Sequence, residues 1–159
     1  MSLLNKESVK RVEKSLKKFN QKLSVKVLES SARTATEAAS SLGCDVGAIV
    51  KSLVFRSEKN FILCLVAGDK KVSLNKLKKL LNFKDVSMAS ANDVKVFTGF
   101  TIGGVSPIGH LNEIDIFIDS SLERFNSLFA AAGHPNCVFD INFKNLQEIT
   151  NGKVGEITE

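Results

Sequence analysis

Residues 48–67, AIVKSLVFRSEKNFILCLVA, decide the fold. Two runs rich in β-branched and apolar residues, 48–56 and 61–67, flank the polar stretch 57–60, a spacing that predicts a hairpin at the start of a central sheet. Lys51 interrupts the first run. A half-buried lysine inside a strand is costly unless an anion or a hydrogen-bond partner meets it, whereas at a sheet edge it simply points to water. Both readings stay open at this level. Cys64, inside FILCLVA, reads as a small buried hydrophobe.

Towards the N-terminus, Thr34 with Glu37 forms a capping-box pattern and Gly43 is placed to stop the short helix between them. Residues 25–28 read as a short strand. Val9, Val12, Leu16, Phe19 and Leu23 recur in steps of three and four, which predicts a first helix of about four turns with its lysines on the opposite side. Residues 1–24 are thus expected to be a basic amphipathic helix.

Towards the C-terminus, Ser73 can cap a helix whose Leu74, Leu77, Leu80 and Leu81 share a face, and 86–89 reads as a strand. Ser90 with Asp93 starts another short helix that ends near Gly99. The segment 101–110, TIGGVSPIGH, is expected to be a tight loop after a short strand. Residues 114–118 alternate as a strand. Ser120 and Glu123 predict a helix running through Ala132 and stopped by Gly133, followed by a strand at 137–141 and a last helix at 143–150. No repeat or linker divides the chain, so residues 1–159 are expected to form a single α/β domain with a mixed sheet.

A chain of 159 residues with 43% hydrophobic and 25% charged residues has an ordinary globular composition, which excludes disorder. Neither a signal peptide nor a membrane span is expected. Cys44, Cys64 and Cys137 are odd in number and widely spaced, which points to a reducing compartment and a cytoplasmic protein rather than a disulfide framework. With no CxxC or HxxxH pair, and with His110 and His134 as the only histidines, no metal is expected.

The net charge of +5 is unevenly spread: residues 1–109 carry 19 Lys and Arg against 9 Asp and Glu, and residues 110–159 carry 3 against 8. Basic clusters at Lys6, Lys10, Arg11, Lys14, Lys17, Lys18 and Lys22, and again from Lys70 to Lys84, suit either a polyanion or a solvated helix face. No aromatic residues interleave with them as a single-strand stacking platform requires.

Three segments hold residues that could carry chemistry. Lys51 is the first. Gly103 and Gly104, leading through Val105 to Ser106 and Pro107, could bring backbone N–H groups up to an oxyanion or a phosphate, or merely form a turn. His134, followed by Pro135 and Asn136, is placed at a helix-to-strand corner as a base, a donor or a plain surface residue. His110 reads as structural or exposed. Spacing supports neither a Ser-His-Asp order nor a carboxylate pair.

Taken in order, ARTATEAASSLGCDVGAIVKSLVF, VAGDKKVSLNKLKKLL, FTGFTIGGVSPIGH and AAGHPNCVFDINFKNLQEIT resemble the YbaK family of aminoacyl-tRNA deacylases, over roughly residues 25–152. That family is related to the editing domain inserted in bacterial prolyl-tRNA synthetases. The resemblance implies an α/β fold with a strongly curved, barrel-like mixed sheet flanked by helices. It also implies metal-free and cofactor-free hydrolysis of the ester joining a mischarged amino acid to the tRNA 3′ end. Lys51 matches the family's essential lysine, which helps hold the terminal nucleotide; Gly103 and Pro107 match the ends of its GxxxP loop; His134 matches a histidine that varies between subfamilies.

Combining both readings, the expected catalytic set is Lys51, Gly103, Gly104 and His134, and the expected substrate contacts are Thr34, Ser106, Pro107 and Asn136. The expected partners are the 3′ end of an aminoacyl-tRNA and an aminoacyl-tRNA synthetase, with no membrane. An ester is already activated, so a positioned water and fixed N–H donors can suffice without a protein nucleophile. The alternatives are a non-catalytic module of the same fold that binds a tRNA end or a nucleotide, and a generic basic nucleic-acid-binding protein.

Overall fold

The computed structural model describes residues 2–30, 32–58 and 60–159. The hairpin forms as expected: β2 (Ile49–Ser57) pairs antiparallel with β3 (Asn60–Ala67) from Val50↔Ala67 to Ser57↔Asn60. Glu58 in the connection takes φ +52, and Lys59, part of the expected polar stretch, lies outside the described residues.

β3 is apolar throughout because both its faces are covered. Leu63, Leu65 and Ala67 enter the main core, while Ile62, Cys64 and Val66 enter a second cluster on the other side. Cys64 is fully buried, and burial pushes its thiol up to about 12.

Around this hairpin the strands run in the order β1-β7-β6-β2-β3-β5-β8, with β4 added beside β2. They comprise β1 (Lys26–Val27), β4 (Val86–Met88), β5 (Asp115–Asp119), β6 (Leu128–Ala131), β7 (Cys137–Ile141) and β8 (Lys153–Gly155). Pairing is parallel for β2 with β6, β3 with β5 and β5 with β8, and antiparallel elsewhere, so the sheet is mixed as expected. The order has two ends, at β1 and β8, so the ladder itself does not close the sheet into a barrel. β8, three residues long and half-exposed, has too little pattern to be read from sequence.

Among the described residues, five α-helices accompany the sheet. α1 (Glu7–Phe19) buries Val9, Val12 and Leu16 in the main core. It is shorter than the 1–24 expected of it: at Asn20 the backbone turns extended, and the Asn20 side chain accepts the Lys22 N–H. Leu23 reaches the same core from the following loop. α2 (Ala35–Leu42), α3 (Leu74–Leu81) and α4 (Ala91–Thr98) begin at Thr34, Ser73 and Ser90, whose hydroxyls accept the N–H three residues on. Each such cap is worth roughly 1 kcal/mol. α5 (Phe143–Thr150) closes the series. In α3 Leu77 is buried and Leu81 packs against the second cluster, while Leu74 and Leu80 are 42% and 50% exposed, so half of the expected leucine face is packed and half is solvated.

Three further expectations are corrected. The helix predicted from Ser120 through Ala132 is instead a single 3-10 segment, Ser120–Arg124, followed by β6. Asp119 rather than Ser120 caps it, and residues 128–131 alternate buried and half-buried between β2 and β7, so sheet pairing overrides helix propensity. His134 therefore sits at a corner between two strands. The 101–110 loop follows α4 directly, with no strand before it.

Asp119, 1% exposed, ties the C-terminus to the sheet. It accepts hydrogen bonds from the Ser121 N–H, the Ser121 hydroxyl, the Ile157 N–H at 2.9 Å and the Thr158 hydroxyl at 3.1 Å. Burial alone raises its pKa, but these donors outweigh burial and hold it below the usual carboxylate range. Replacing Asp119 by Ala strands several buried donors, and we expect a loss of about 3 kcal/mol in urea unfolding. A loss within 0.5 kcal/mol, roughly what an ordinary surface change gives, would show that the clamp is idle.

Candidate active site

The edge of β2 opposite β3 is shared by two strands that do not meet. β6 pairs with Ile49 and Val50, and β4 pairs with Phe55, Arg56 and Ser57. Between them residues 51–54 border a cavity of about 360 Å³. Its walls are mostly aliphatic, from Ile49, Leu53, Val94, Val105 and Val138 among others; Arg33 and Lys51 line it, and no carboxylate does among the described residues. Apolar walls with cationic groups suit a ligand that has an apolar part and an anionic part.

Lys51 is half-buried in a central strand, which removes the edge-strand reading. Its ammonium donates to the Lys70 carbonyl. Burial lowers its pKa, Asp69 acts in the opposite direction, and Lys71 lowers it further. Asp69 is itself held by Arg124 in a two-pronged ion pair at 2.7 and 3.0 Å, which keeps its charge directed away from full pairing with Lys51.

Gly103 borders the cavity at φ +95, a conformation that suits glycine, and among the described residues its N–H meets no protein acceptor. An added Cβ there would approach Pro135, also a cavity residue, at 3.7 Å. Gly104 has a different part: its N–H donates to Thr101 O at 2.9 Å, and a Cβ on it would lie 3.0 Å from the N and Cα of His134. Gly104 thus packs the glycine loop against the histidine corner and has no N–H left for an oxyanion.

The His134 ring is fixed by its own corner. The Asn136 N–H donates to Nδ1 at 3.1 Å, so Nδ1 is unprotonated and the neutral ring carries its proton on Nε2. Such a ring offers a donor, while its basic nitrogen is occupied.

The remaining expected contacts separate. Thr34 lines the cavity while its hydroxyl oxygen caps α2. Ser106 is fully buried, with its hydroxyl accepting the Ile108 N–H and its carbonyl accepting from His110 Nε2 at 2.6 Å, so no substrate reaches it. Pro107 faces a second, shallower depression of about 1130 Å³ with His110. Asn136 lies outside the cavity lining, its carbonyl accepting the Leu28 N–H of the segment that leads from β1. Sequence reasoning passed over Ser52, which lines the cavity beside Lys51; two adjacent polar residues in an apolar strand were the available signal.

α1 braces both loops. Ser8 donates to Gly133 O at 2.8 Å, and Arg11 donates to Gly109 O and Gly99 O, each at 3.1 Å, with its guanidinium 5.1 Å from the Phe100 centroid. Arg11, counted above within a basic cluster, is therefore a structural residue.

The chain belongs to the aminoacyl-tRNA editing domain family, whose model matches residues 29–149. It is 35% identical over 148 residues to the uncharacterized protein YwhH of Bacillus subtilis, covering 92% of this chain and 94% of that one. To EbsC of Enterococcus faecalis, a candidate Cys-tRNA(Pro)/Cys-tRNA(Cys) deacylase, it is 29% identical over 79% of this chain and 77% of that one. The proline–tRNA ligase of Caldicellulosiruptor bescii is 33% identical over 80% of this chain, which spans 21% of that much longer protein. A crystal structure described as a candidate trans-editing enzyme for prolyl tRNA synthetase superposes with a TM-score of 0.91 at 37% identity, covering 97% of this chain and 98% of that one.

Both histidines are held below the ordinary 6.5, in each case chiefly by burial, with Arg11 adding to the effect at His110 and Lys6 and Arg33 at His134. The unfolded chain therefore binds protons at pH values where the folded rings do not. Stability then falls as pH drops from the ordinary histidine range towards the depressed values. We expect a lower thermal midpoint at about pH 5.5 than at about pH 7.5, and a smaller difference in His134→Asn. An unchanged difference in that variant would remove His134 from the effect.

Proposed function

We propose that this protein is a trans-editing deacylase that hydrolyses the ester of a mischarged aminoacyl-tRNA, with a small amino acid carried on tRNA-Pro or a related tRNA. One observation carries the reading: Lys51, in the middle of an apolar strand, lines an apolar cavity that Gly103 and Pro135 also border, and among the described residues no carboxylate lines it. Family membership supports the same reaction class.

The chemistry asks little of side chains. Lys51, supplied with a carbonyl partner it can exchange for a phosphate oxygen, holds the terminal nucleotide. The aliphatic walls take the amino acid's side chain and keep bulk water out. The free N–H of Gly103 is placed to meet charge developing on the ester oxygen. His134, next in the chain to the cavity residue Pro135, keeps Nδ1 on the Asn136 N–H and offers only an Nε2–H donor, so the water is activated by positioning and by the substrate's own ribose hydroxyl instead of by an imidazole base.

The test is amino-acid release from cysteinyl-, alanyl-, seryl- and threonyl-tRNAs built on tRNA-Pro and on the cognate tRNAs. Wild type should release one of these rapidly, and Lys51→Ala should slow that release on the order of 100-fold or more at unchanged thermal midpoint. Wild-type release no faster than in buffer from every member would overturn the proposal.

A further inference from the structure

The break in the sheet has a chemistry of its own. The Gly68 N–H donates to Ile49 O on the β3 side, whereas the Ala89 N–H donates to Val54 O on the other side. Successive strand residues alternate in direction, so residues 49, 51 and 53 bond towards β3, and residues 50, 52 and 54 present N–H and C=O to the shared edge. Val50 is taken by β6, Val54 O by Ala89, and Arg56 by β4. Ser52 stands between them. Among the described residues its N–H and C=O have no backbone partner on that edge, and its hydroxyl is sequestered from water with no hydrogen bond at all. The other such hydroxyl, Ser57 Oγ, lies where β3 and β4 flank β2 and borders no cavity named here.

Buried polar groups without protein partners are rare in folded proteins, and such a group at a cavity wall is available to bond whatever enters. A strand residue supplies one N–H and one C=O, and directly opposed residues of an antiparallel hydrogen-bonded pair exchange both bonds. An aminoacyl ester carries the same two groups, an α-amino N–H and an acyl C=O on either side of one carbon.

We propose that the aminoacyl group of the substrate docks in the gap between β6 and β4 as a one-residue strand, exchanging two hydrogen bonds with the Ser52 peptide edge. Its α-amino group donates to Ser52 O and Ser52 Oγ, and its ester C=O accepts from the Ser52 N–H. Attack of water then converts that C=O to an oxyanion while the Ser52 N–H stays in place as a donor. When the tetrahedral species collapses, the C–O bond to ribose breaks, and the ribose oxygen leaves with a proton.

This inference rests on the deacylase reading and adds Ser52 as a catalytic residue acting through its backbone. It also makes the α-amino group, a part of the substrate distant from the leaving ribose, a determinant of turnover. Rate is read for the aminoacyl-tRNA that wild type hydrolyses fastest and for its desamino counterpart, propionyl for alanyl, each divided by its own hydrolysis rate in buffer. The inference requires the desamino ester to lose tenfold or more of that enhancement.

Ser52→Pro removes an N–H that enters no ladder, the kind of strand position at which proline is tolerated, and leaves the β3 ladder in place. Folded by circular dichroism, it should lose on the order of 100-fold. Ser52→Ala keeps the peptide edge and should lose about tenfold, while Ser57→Ala should match wild type. Equal enhancement of both esters by wild type overturns the inference while leaving the deacylase standing, and this comparison decides even if Ser52→Pro does not fold. Wild-type inactivity on every ester removes the deacylase reading, and the inference with it.

Discussion

Nine residues of β2 must satisfy three neighbouring strands, and they do so by dividing one edge between two of them. β6 enters in parallel at the start of the strand and β4 in antiparallel at its end, so the two cannot run on into each other. The cavity is the remainder of that division. Its position is therefore set by ladder register, and the elements around it serve to wall a hole that the topology has already made. Lys51 falls at this hole because the last β6 pair, Val50↔Ala130, ends one residue before it.

Charge at the site follows from what each group can still exchange. Lys51 has a neutral partner, the Lys70 carbonyl, and its nearest carboxylate is engaged by Arg124. It is desolvated without being neutralised, the condition in which a cation gains most from an arriving anion. His134 is the opposite case. Its acceptor nitrogen is already taken by the Asn136 N–H, so the ring orders the corner and presents a proton outward.

Much of this was legible in the sequence, because the signals were local. The hairpin, the caps at Thr34, Ser73 and Ser90 and the stop at Gly43 each depend on neighbours within a few residues, and they formed where expected. What failed was decided at a distance. Residues 128–131 lie downstream of a helical start signal at Ser120 and Glu123, yet they become a strand because β2 and β7 wait on either side. Ser106 reads like a loop residue near a site, but it is buried by the way its loop folds back on His110. Lys51 stood out because a charge in an apolar run is conspicuous. Ser52 did not, because the meaning of its hydroxyl depends on which strands leave it alone.

Beside the Ser8 and Arg11 side-chain bonds, the backbone of α1 lies close against the backbone of the two loops. A Cβ at Gly133 would stand 2.7 Å from Ser8 O, and one at Gly109 would stand 3.2 Å from Val12 N. Close packing of this kind depends on glycine at a few positions and on Ser8 and Arg11, so most substitutions elsewhere pass it by. A chain that shares only 37% of its residues with this one keeps the same fold, at a TM-score of 0.91. Selection is left free to reshape the cavity's walls while the frame that joins the loop to the corner stays fixed, and new side-chain preferences can arise in this fold without that frame being rebuilt.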